Sequence, residues 1–257
     1  MTDCWNPAQY ERFRTEREQP FFDLLTLVEG RPGMRVADLG CGTGKQTRTL
    51  HQRLHAVETV GIDRSARMLE AAPAGVEGLS FRQGTIEGFA AGDAAWDLVF
   101  SNAAFHWVEN HRDLVPRLAL TLEHGGQLAF QVPAMHEDVS HTVAQELTRV
   151  EPFRSALAGW TRPQPVLLPE EYSRLLYEAG AAVQHVRLVV YPHVLDAAED
   201  VVEWMKGTLV TEYERHLPDQ LRGAFVDAFR EGVLARVPHT RPFFFPFRRI
   251  LCWGRWP

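Results

Sequence analysis

Lysine is almost missing from this 257-residue chain: Lys45 and Lys206 stand alone in a basic set otherwise built from arginine. That scarcity is compositional and points to no site. Cysteine is scarce as well. Cys4, Cys41 and Cys252 lie far apart, are odd in number and show no C-x-x-C spacing, which excludes a disulfide framework and a cysteine metal site and fits a reducing cytoplasm. No apolar run approaches the ~20 residues of a membrane span. The opening MTDCWNPAQYERF has no apolar core segment, so a secretory signal is not expected. Positive charge is not in excess: the formal net charge is −6, which argues against wholesale binding of nucleic acid. There are no internal repeats and no low-complexity tract. A hydrophobic share of 45% and a charged share of 23% are ordinary for a globular protein, and the length suits one large domain with an inserted cap.

The chemistry begins at residues 36–44, VADLGCGTG. An apolar strand ends near Asp38, a glycine turn follows (Gly40, Gly42, Gly44), and a helix opens at Lys45. Such a turn lets backbone approach a ligand and offers it the free N–H groups of a helix start. Spacing separates the candidate nucleotides. The dinucleotide fingerprint G-x-G-x-x-G needs a glycine where Lys45 stands. The phosphate loop G-x-x-x-x-G-K-[ST] needs a glycine at Leu39 and a hydroxyl at Gln46, and has neither. The remaining pattern, [D/E]-x-G-x-G-x-G, resembles the first motif of class I S-adenosylmethionine (SAM)-dependent methyltransferases.

A second half of the seat is expected about 20 residues on, as an acid holding ribose hydroxyls at the end of the next strand. AVETVGIDRS supplies Asp63 there, and Ser65 then reads as the N-cap of a helix carrying Met68. Asp63 as a simple helix cap is the bland alternative. Elsewhere β-rich runs alternate with helical patterns, which predicts a doubly wound, mainly parallel sheet. Strands are expected over 34–39, 57–62, 79–82, 96–101, 126–132, 183–191 and 246–253, the last returning as a hairpin partner. Helices are expected over 45–54, 65–72, 111–122 and 170–179, while 84–92 reads more as loop. Residues 134–168 and 194–240 break the alternation, and they read as a helical cap over a substrate or, less sharply, as surface decoration or a dimer face.

The family can be named more narrowly. Trp5-Asn6-Pro7, Tyr10, Phe13, Arg17 and Pro20 are similar to the opening of bacterial trans-aconitate 2-methyltransferases, as are VADLGCGTG, SNAAFHWVENH, GGQLAFQVP and the closing Phe245-Pro246 strand. The resemblance is strong over 5–133 and loose in the cap. It implies the seven-stranded Rossmann-like sheet with one antiparallel edge, and SAM as cofactor with S-adenosylhomocysteine as product. It implies a cofactor seat made of Asp38, Gly40, Cys41, Gly42, Gly44, Asp63, Arg64, Met68, Thr85, Ile86 and Asn102, with Tyr10 and Arg17 of an N-terminal helix folded over it. At Thr85 related enzymes usually carry an Asp for the adenine amino group; a hydroxyl can still accept one hydrogen bond there.

The implied acceptor is a small carboxylic acid; a larger apolar acid, a phenol, another small metabolite or a non-catalytic SAM-binding role are the readings kept beside it. A carboxylate is ionised at neutral pH and needs no general base. His106 is the candidate catalytic residue, holding the accepting carboxylate, or acting as base if the acceptor is a hydroxyl. A strand-end structural histidine is its bland reading. Any remaining carboxylates call for cationic cap residues, and Arg154, Arg162, Arg187, His193, Arg241 and Arg248 are the candidates. Trp160, Trp204, Phe225, Phe229 and Phe243 to Phe245 read mostly as core.

Overall fold

The computed structural model describes residues 14–92 and 95–257. Seven strands form one sheet: β1 (Arg35–Leu39), β2 (Glu58–Asp63), β3 (Leu79–Gln83), β4 (Trp96–Asn102), β5 (Leu122–Pro133), β6 (Val183–Leu195) and β7 (Phe243–Arg255). Their order is β3-β2-β1-β4-β5-β7-β6. The first five in that order run parallel, and β7 is antiparallel to both neighbours. The expected doubly wound sheet is present, with one difference. The antiparallel strand is interior, and β6 forms the edge. Hairpin pairing of β6 with β7 is long, from Val183↔Arg255 to Leu195↔Phe243. The aromatic run Phe243 to Phe247 therefore lies in a strand, and Val194 and Leu195 belong to β6 rather than to a helical insertion.

The central strands are apolar because both faces are covered. On one face Phe21 and Leu24 of α1 (Arg14–Leu25), with Leu50 and Leu54 of α2 (Lys45–Leu54), pack on Val36, Leu98, Phe100, Ala129 and Trp253. Short helices α3 (Ala66–Leu69) and α4 (Ile86–Phe89) follow β2 and β3. Residues 84–92 thus contain one helical turn, because Thr85 caps it by accepting from Gly88 N–H at 3.0 Å. On the other face α5 (His111–Ala119) contributes Leu114, Val115 and Leu118, and a later helix, Pro169–Glu178, contributes Tyr172, Leu175 and Leu176.

The strand order reverses between β1 and β4. A crevice opens beyond their C-terminal ends, where open α/β sheets bind ligands. Past Pro133, β7 loses β5 as a partner and continues with β6 alone. On this overhang sits a helical unit: α6 (Val139–Leu147), α7 (Phe153–Leu157), α9 (Glu199–Met205), a π-helical turn (Lys206–Val210), α10 (Thr211–His216) and α11 (Asp219–Leu234), Pro169–Glu178 being α8. Phe225 and Phe229 of α11 are fully buried in one cluster with Phe153, Tyr213, Trp204 and the inward β7 residues Phe243, Phe245 and Phe247, where Trp204 meets the Phe245 and Phe247 rings. Burial of each such side chain contributes about 1.5–3 kcal/mol, enough to anchor the unit to the overhang. Phe244, on the opposite face of the same strand, is exposed.

Candidate functional site

The glycine turn is pinned to β2, since Gly40 and Cys41 N–H both donate to Ile62 O, at 2.7 and 3.0 Å. Gly40, Gly42 and Gly44 all have positive φ (76°, 56° and 69°). Two of them also answer to close packing. A Cβ on Gly40 would lie 2.1 Å from Ala104 Cβ, and one on Gly44 would lie 2.5 Å from the Phe81 ring. Gly40 lets the loop after β4 close over the turn, whereas Gly44 seats the turn on β3.

Asp63 organises the seat from the end of β2. Its Oδ2 accepts from Gly42 N–H and its Oδ1 from Ser65 N–H, both at 2.8 Å. Each carboxylate oxygen keeps a further lone pair, so a pair of adjacent hydroxyls can be received without breaking either bond. Asp63 lines a cavity of about 850 Å³, counting its open mouth, with Gly40, Gly42, Arg64, Met68, Thr85, Ile86, Glu87, Asn102 and Trp107. Beneath the turn, Asp38 is buried and accepts from Thr47 Oγ1 at 2.6 Å. Burial pushes its carboxyl up to about 7 against the opposing Thr47 bond, and the nearby Asp63 charge adds to the rise. The Asp63 carboxylate beside the turn opposes a pyrophosphate there and suits a ligand with ribose hydroxyls and a cationic centre. These residues therefore fit SAM better than a dinucleotide.

A second cavity, about 750 Å³, lies beyond the first and shares Asn102, Ala103 and Trp107 with it. His106, His141, Arg162 and Arg249 enter it among Met135, Trp204, Met205, Leu209 and Phe247. Arg249 is 4% exposed and its guanidinium lies 4.7 Å over the Phe247 ring. Arg162 lies 5.7 Å over the Trp107 ring, and its buried Nε has no hydrogen-bond partner. Burial lowers the Arg162 pKa, although a guanidinium stays charged at neutral pH. Burial, then Arg162 and Arg249, hold His106 far below its ordinary pKa; burial, then Arg162 and His136, bring His141 to about 3. His106 Nδ1 is buried without a hydrogen-bond partner among the described residues. The cavity thus holds two cations and two neutral imidazoles.

The turn bearing His106 and Trp107, a 3₁₀ segment at Phe105–Trp107, is braced from behind. His111 Nε2–H donates to Phe105 O at 2.9 Å, and Tyr172 O–H donates to His111 Nδ1 at 2.5 Å. Burial keeps His111 neutral, as this pattern requires.

Of the expected seat residues, Gly40, Gly42, Asp63, Arg64, Met68, Thr85, Ile86 and Asn102 face the first cavity. Asp38, Cys41 and Gly44 do not: Asp38 is turned to Thr47, Gly44 abuts Phe81, and Cys41 Sγ lies against Gly61. Tyr10 and the Arg17 side chain lie outside the described residues. Among the cationic candidates only Arg162 lines the second cavity. Arg154, Arg241 and Arg248 pair with Glu151, Glu199 and Glu137 at the surface, and Arg187 is exposed. His193 stacks on Trp204, 5.2 Å between centroids, behind the cavity wall. Arg249 and His141 were missed. Arg249 had a signal: a charge inside the apolar strand FFFPFRRILCW, at a parity its neighbour Arg248 obscured.

The described residues contain no group of three or more His, Cys, Asp or Glu placed to hold a metal ion, and no helix among them is long and apolar enough to cross a membrane. A methyltransferase domain family matches residues 37–130, from β1 into β5. The chain is 39% identical over 254 residues to the trans-aconitate 2-methyltransferase of Deinococcus radiodurans, covering 96% of each. To that of Sinorhizobium fredii it is 37% identical over 235 residues, covering 91% of each. Among solved structures, the YcgJ protein of Bacillus subtilis shares the fold, with a TM-score of 0.61, 19% identity, and coverage of 93% of this chain and 98% of that one. A geranyl diphosphate methyltransferase solved with GPP and sinefungin aligns with a TM-score of 0.52 and 15% identity, over 93% of this chain and 78% of that one. With a methyltransferase seat at the sheet's switch point and sequence identity of this extent, the chain belongs to the trans-aconitate 2-methyltransferase family of SAM-dependent methyltransferases.

Proposed function

We propose that the protein esterifies a carboxylate of trans-aconitate, with SAM bound in the first cavity and the acceptor in the second. The observation that carries this is the pair of buried guanidiniums, Arg162 and Arg249, one shared wall away from the seat. Planar guanidinium forks recognise carboxylates bidentately, and two of them enter the same cavity. Bound there, SAM would supply a methyl group on a positive sulfur, the carbon–sulfur bond breaking as the new carbon–oxygen bond forms, with S-adenosylhomocysteine as the leaving thioether. Asp63 holds the ribose hydroxyls, Met68 and Ile86 sandwich the adenine, and Thr85, whose oxygen already accepts from Gly88 N–H, still has a proton to donate. His106, kept neutral, donates one N–H to the accepting carboxylate and takes no proton from it. Residues 134–168 and 196–242 act as the cap that excludes water, which strengthens the ion pairs inside.

The apolar wall of Met135, Trp204, Met205, Leu209 and Phe247 supports a second reading, an acid with an apolar body. One assay separates them: SAM with a panel of di- and tricarboxylic acids and apolar monoacids, detecting ester and S-adenosylhomocysteine together. Ester from trans-aconitate at the highest kcat/KM is expected. Turnover of apolar acids alone would replace the acceptor, and no turnover of any acid would overturn the reading.

The neutral histidines also predict a pH response. His106, His111 and His141 are depressed, so their contribution to stability is present above the unfolded histidine pKa, about 6.5, and is lost as pH falls below it. Asp38, raised to about 7, works the other way: its contribution is present at low pH and is lost as pH rises through 7. Three imidazoles outweigh one carboxyl, so the unfolding midpoint should drop between pH 7.5 and 6. A polyanion beside His106 and His141 raises their pKa, and trans-aconitate should therefore stabilise the protein more at pH 6 than at 7.5. Thermal unfolding with and without the acid reads both effects, and an equal ligand shift at the two pH values would refute the second.

A further inference from the structure

A row of side-chain amides joins the two cavities, and its direction is set at one end. Arg249 Nη1 donates to Gln131 Oε1 at 3.1 Å, Gln131 Nε2 to Asn102 Oδ1 at 2.7 Å, and Asn102 Nδ2 to Gln46 Oε1 at 2.8 Å. A guanidinium has only donors. Gln131 must therefore turn its oxygen to Arg249 and its NH₂ to Asn102, which in turn must present its oxygen and send its own NH₂ to Gln46. The sheet register makes this row possible. Asn102 pairs with Gln131 across β4 and β5, and Pro133 pairs with Arg249 across β5 and β7, so the three side chains share one face. Gln131 is 1% exposed and lines neither cavity itself. Its two partners do: Arg249 enters the second cavity, and Asn102 belongs to the wall between the two. Gln46 stands in the first turn of α2, directly after the glycine turn.

Building on the proposed function, we propose that Gln131 is a positioning residue whose amide aims Arg249 at a non-reacting carboxylate of the acceptor and fixes Asn102 in the wall of the cofactor seat. Affinity for the acceptor and affinity for the cofactor then both pass through one buried side chain that touches neither ligand.

Two variants separate this role from simple filling of the interior. Gln131→Glu keeps size and bonding: the carboxylate accepts from Arg249 and from Asn102, whose amide turns over, and Gln46 turns in response. It cancels the Arg249 charge, however. Gln131→Met keeps length but leaves Arg249 Nη1 and Asn102 Oδ1 without this partner. The experiment measures KM and kcat for trans-aconitate, the dissociation constant of S-adenosylhomocysteine, and the unfolding midpoint of wild type and both variants. For Gln131→Glu the expected result is a KM raised at least tenfold, with kcat and S-adenosylhomocysteine affinity within about threefold of wild type. For Gln131→Met both KM and the S-adenosylhomocysteine constant should rise, the latter about three- to tenfold. A role in packing and bonding alone would leave the Glu variant near wild type in KM, and that result overturns the proposal. If wild type makes no ester from trans-aconitate, the proposed acceptor fails. The S-adenosylhomocysteine constants then still decide the Gln131 assignment: weaker binding by the Met than the Glu variant supports it, and equal binding sinks it.

Discussion

Asp63→Ala should weaken S-adenosylhomocysteine binding by about 100-fold or more while leaving a folded protein. The carboxylate is the one acidic group held by backbone at the end of β2 and open to the first cavity, with Gly42 and Ser65 N–H fixing its two oxygens. Hydrogen bonds to a charged acceptor are worth roughly 1.5–3 kcal/mol each. Two ribose hydroxyls thus account for at least about 3 kcal/mol, and each 1.4 kcal/mol is a factor of ten. The substitution also frees two N–H groups, which loosens the turn and α3 together. Asp63→Asn is the sharper test. Its amide would have to place an NH₂ against either Gly42 N–H or Ser65 N–H, donor facing donor, so the near-isosteric change should cost nearly as much as alanine. Titration calorimetry reads both variants. Retained affinity within about fivefold in Asp63→Ala would remove Asp63 from the cofactor seat.

Arg249→Met should lower kcat/KM for trans-aconitate by about 10²–10³, mostly through KM, with cofactor affinity within about fivefold of wild type. Truncating one partner of a buried, hydrogen-bonded charge pair costs about 2–5 kcal/mol, which brackets that loss. The loss belongs in KM because Arg249 meets a carboxylate that does not react, and such an interaction is equal in ground and transition states. Arg249→Lys keeps the charge but loses the planar fork and its seat on the Phe247 ring, so it should recover only part of the activity. Arg162→Met should behave like Arg249→Met, since Arg162 stands in the same cavity over Trp107. A KM within threefold of wild type in Arg249→Met would leave Arg249 as nothing more than a partner for Gln131.

Much of this molecule is written locally in its chain. The alternation of apolar strands with helical patterns, the glycine turn before Lys45, and Asp63 one strand later are short-range patterns, and backbone sterics and hydrogen-bond demand read them the same way wherever they occur. They were enough for the doubly wound sheet and for an acid at the end of β2 beside the glycine turn. Other features depend on contacts between distant segments, which spacing does not encode. Thr85 read as a loop hydroxyl able to accept one hydrogen bond from the adenine, but the chain turns into α4 there and its oxygen becomes the cap. Asp38 and Gly44 sit in the right motif yet face Thr47 and Phe81, because β3 and α2 close against them. The antiparallel strand lies inside the sheet because its outward partner is β6, some 50 residues earlier in the chain.

The cationic cavity shows the limit most clearly. Arg248 and Arg249 are neighbours of one residue type, and a strand turns them to opposite faces, one toward Glu137 at the surface and the other into the second cavity. By itself the sequence determined that a glycine turn and an acid lie side by side on a parallel sheet, since both are built from one turn and the strand beside it. Only the tertiary structure decided which arginines enter the second cavity. That choice rests on strand parity in β7, on how far β7 outruns β5, and on where a helical unit assembled from two separate stretches of the chain comes down on the overhang.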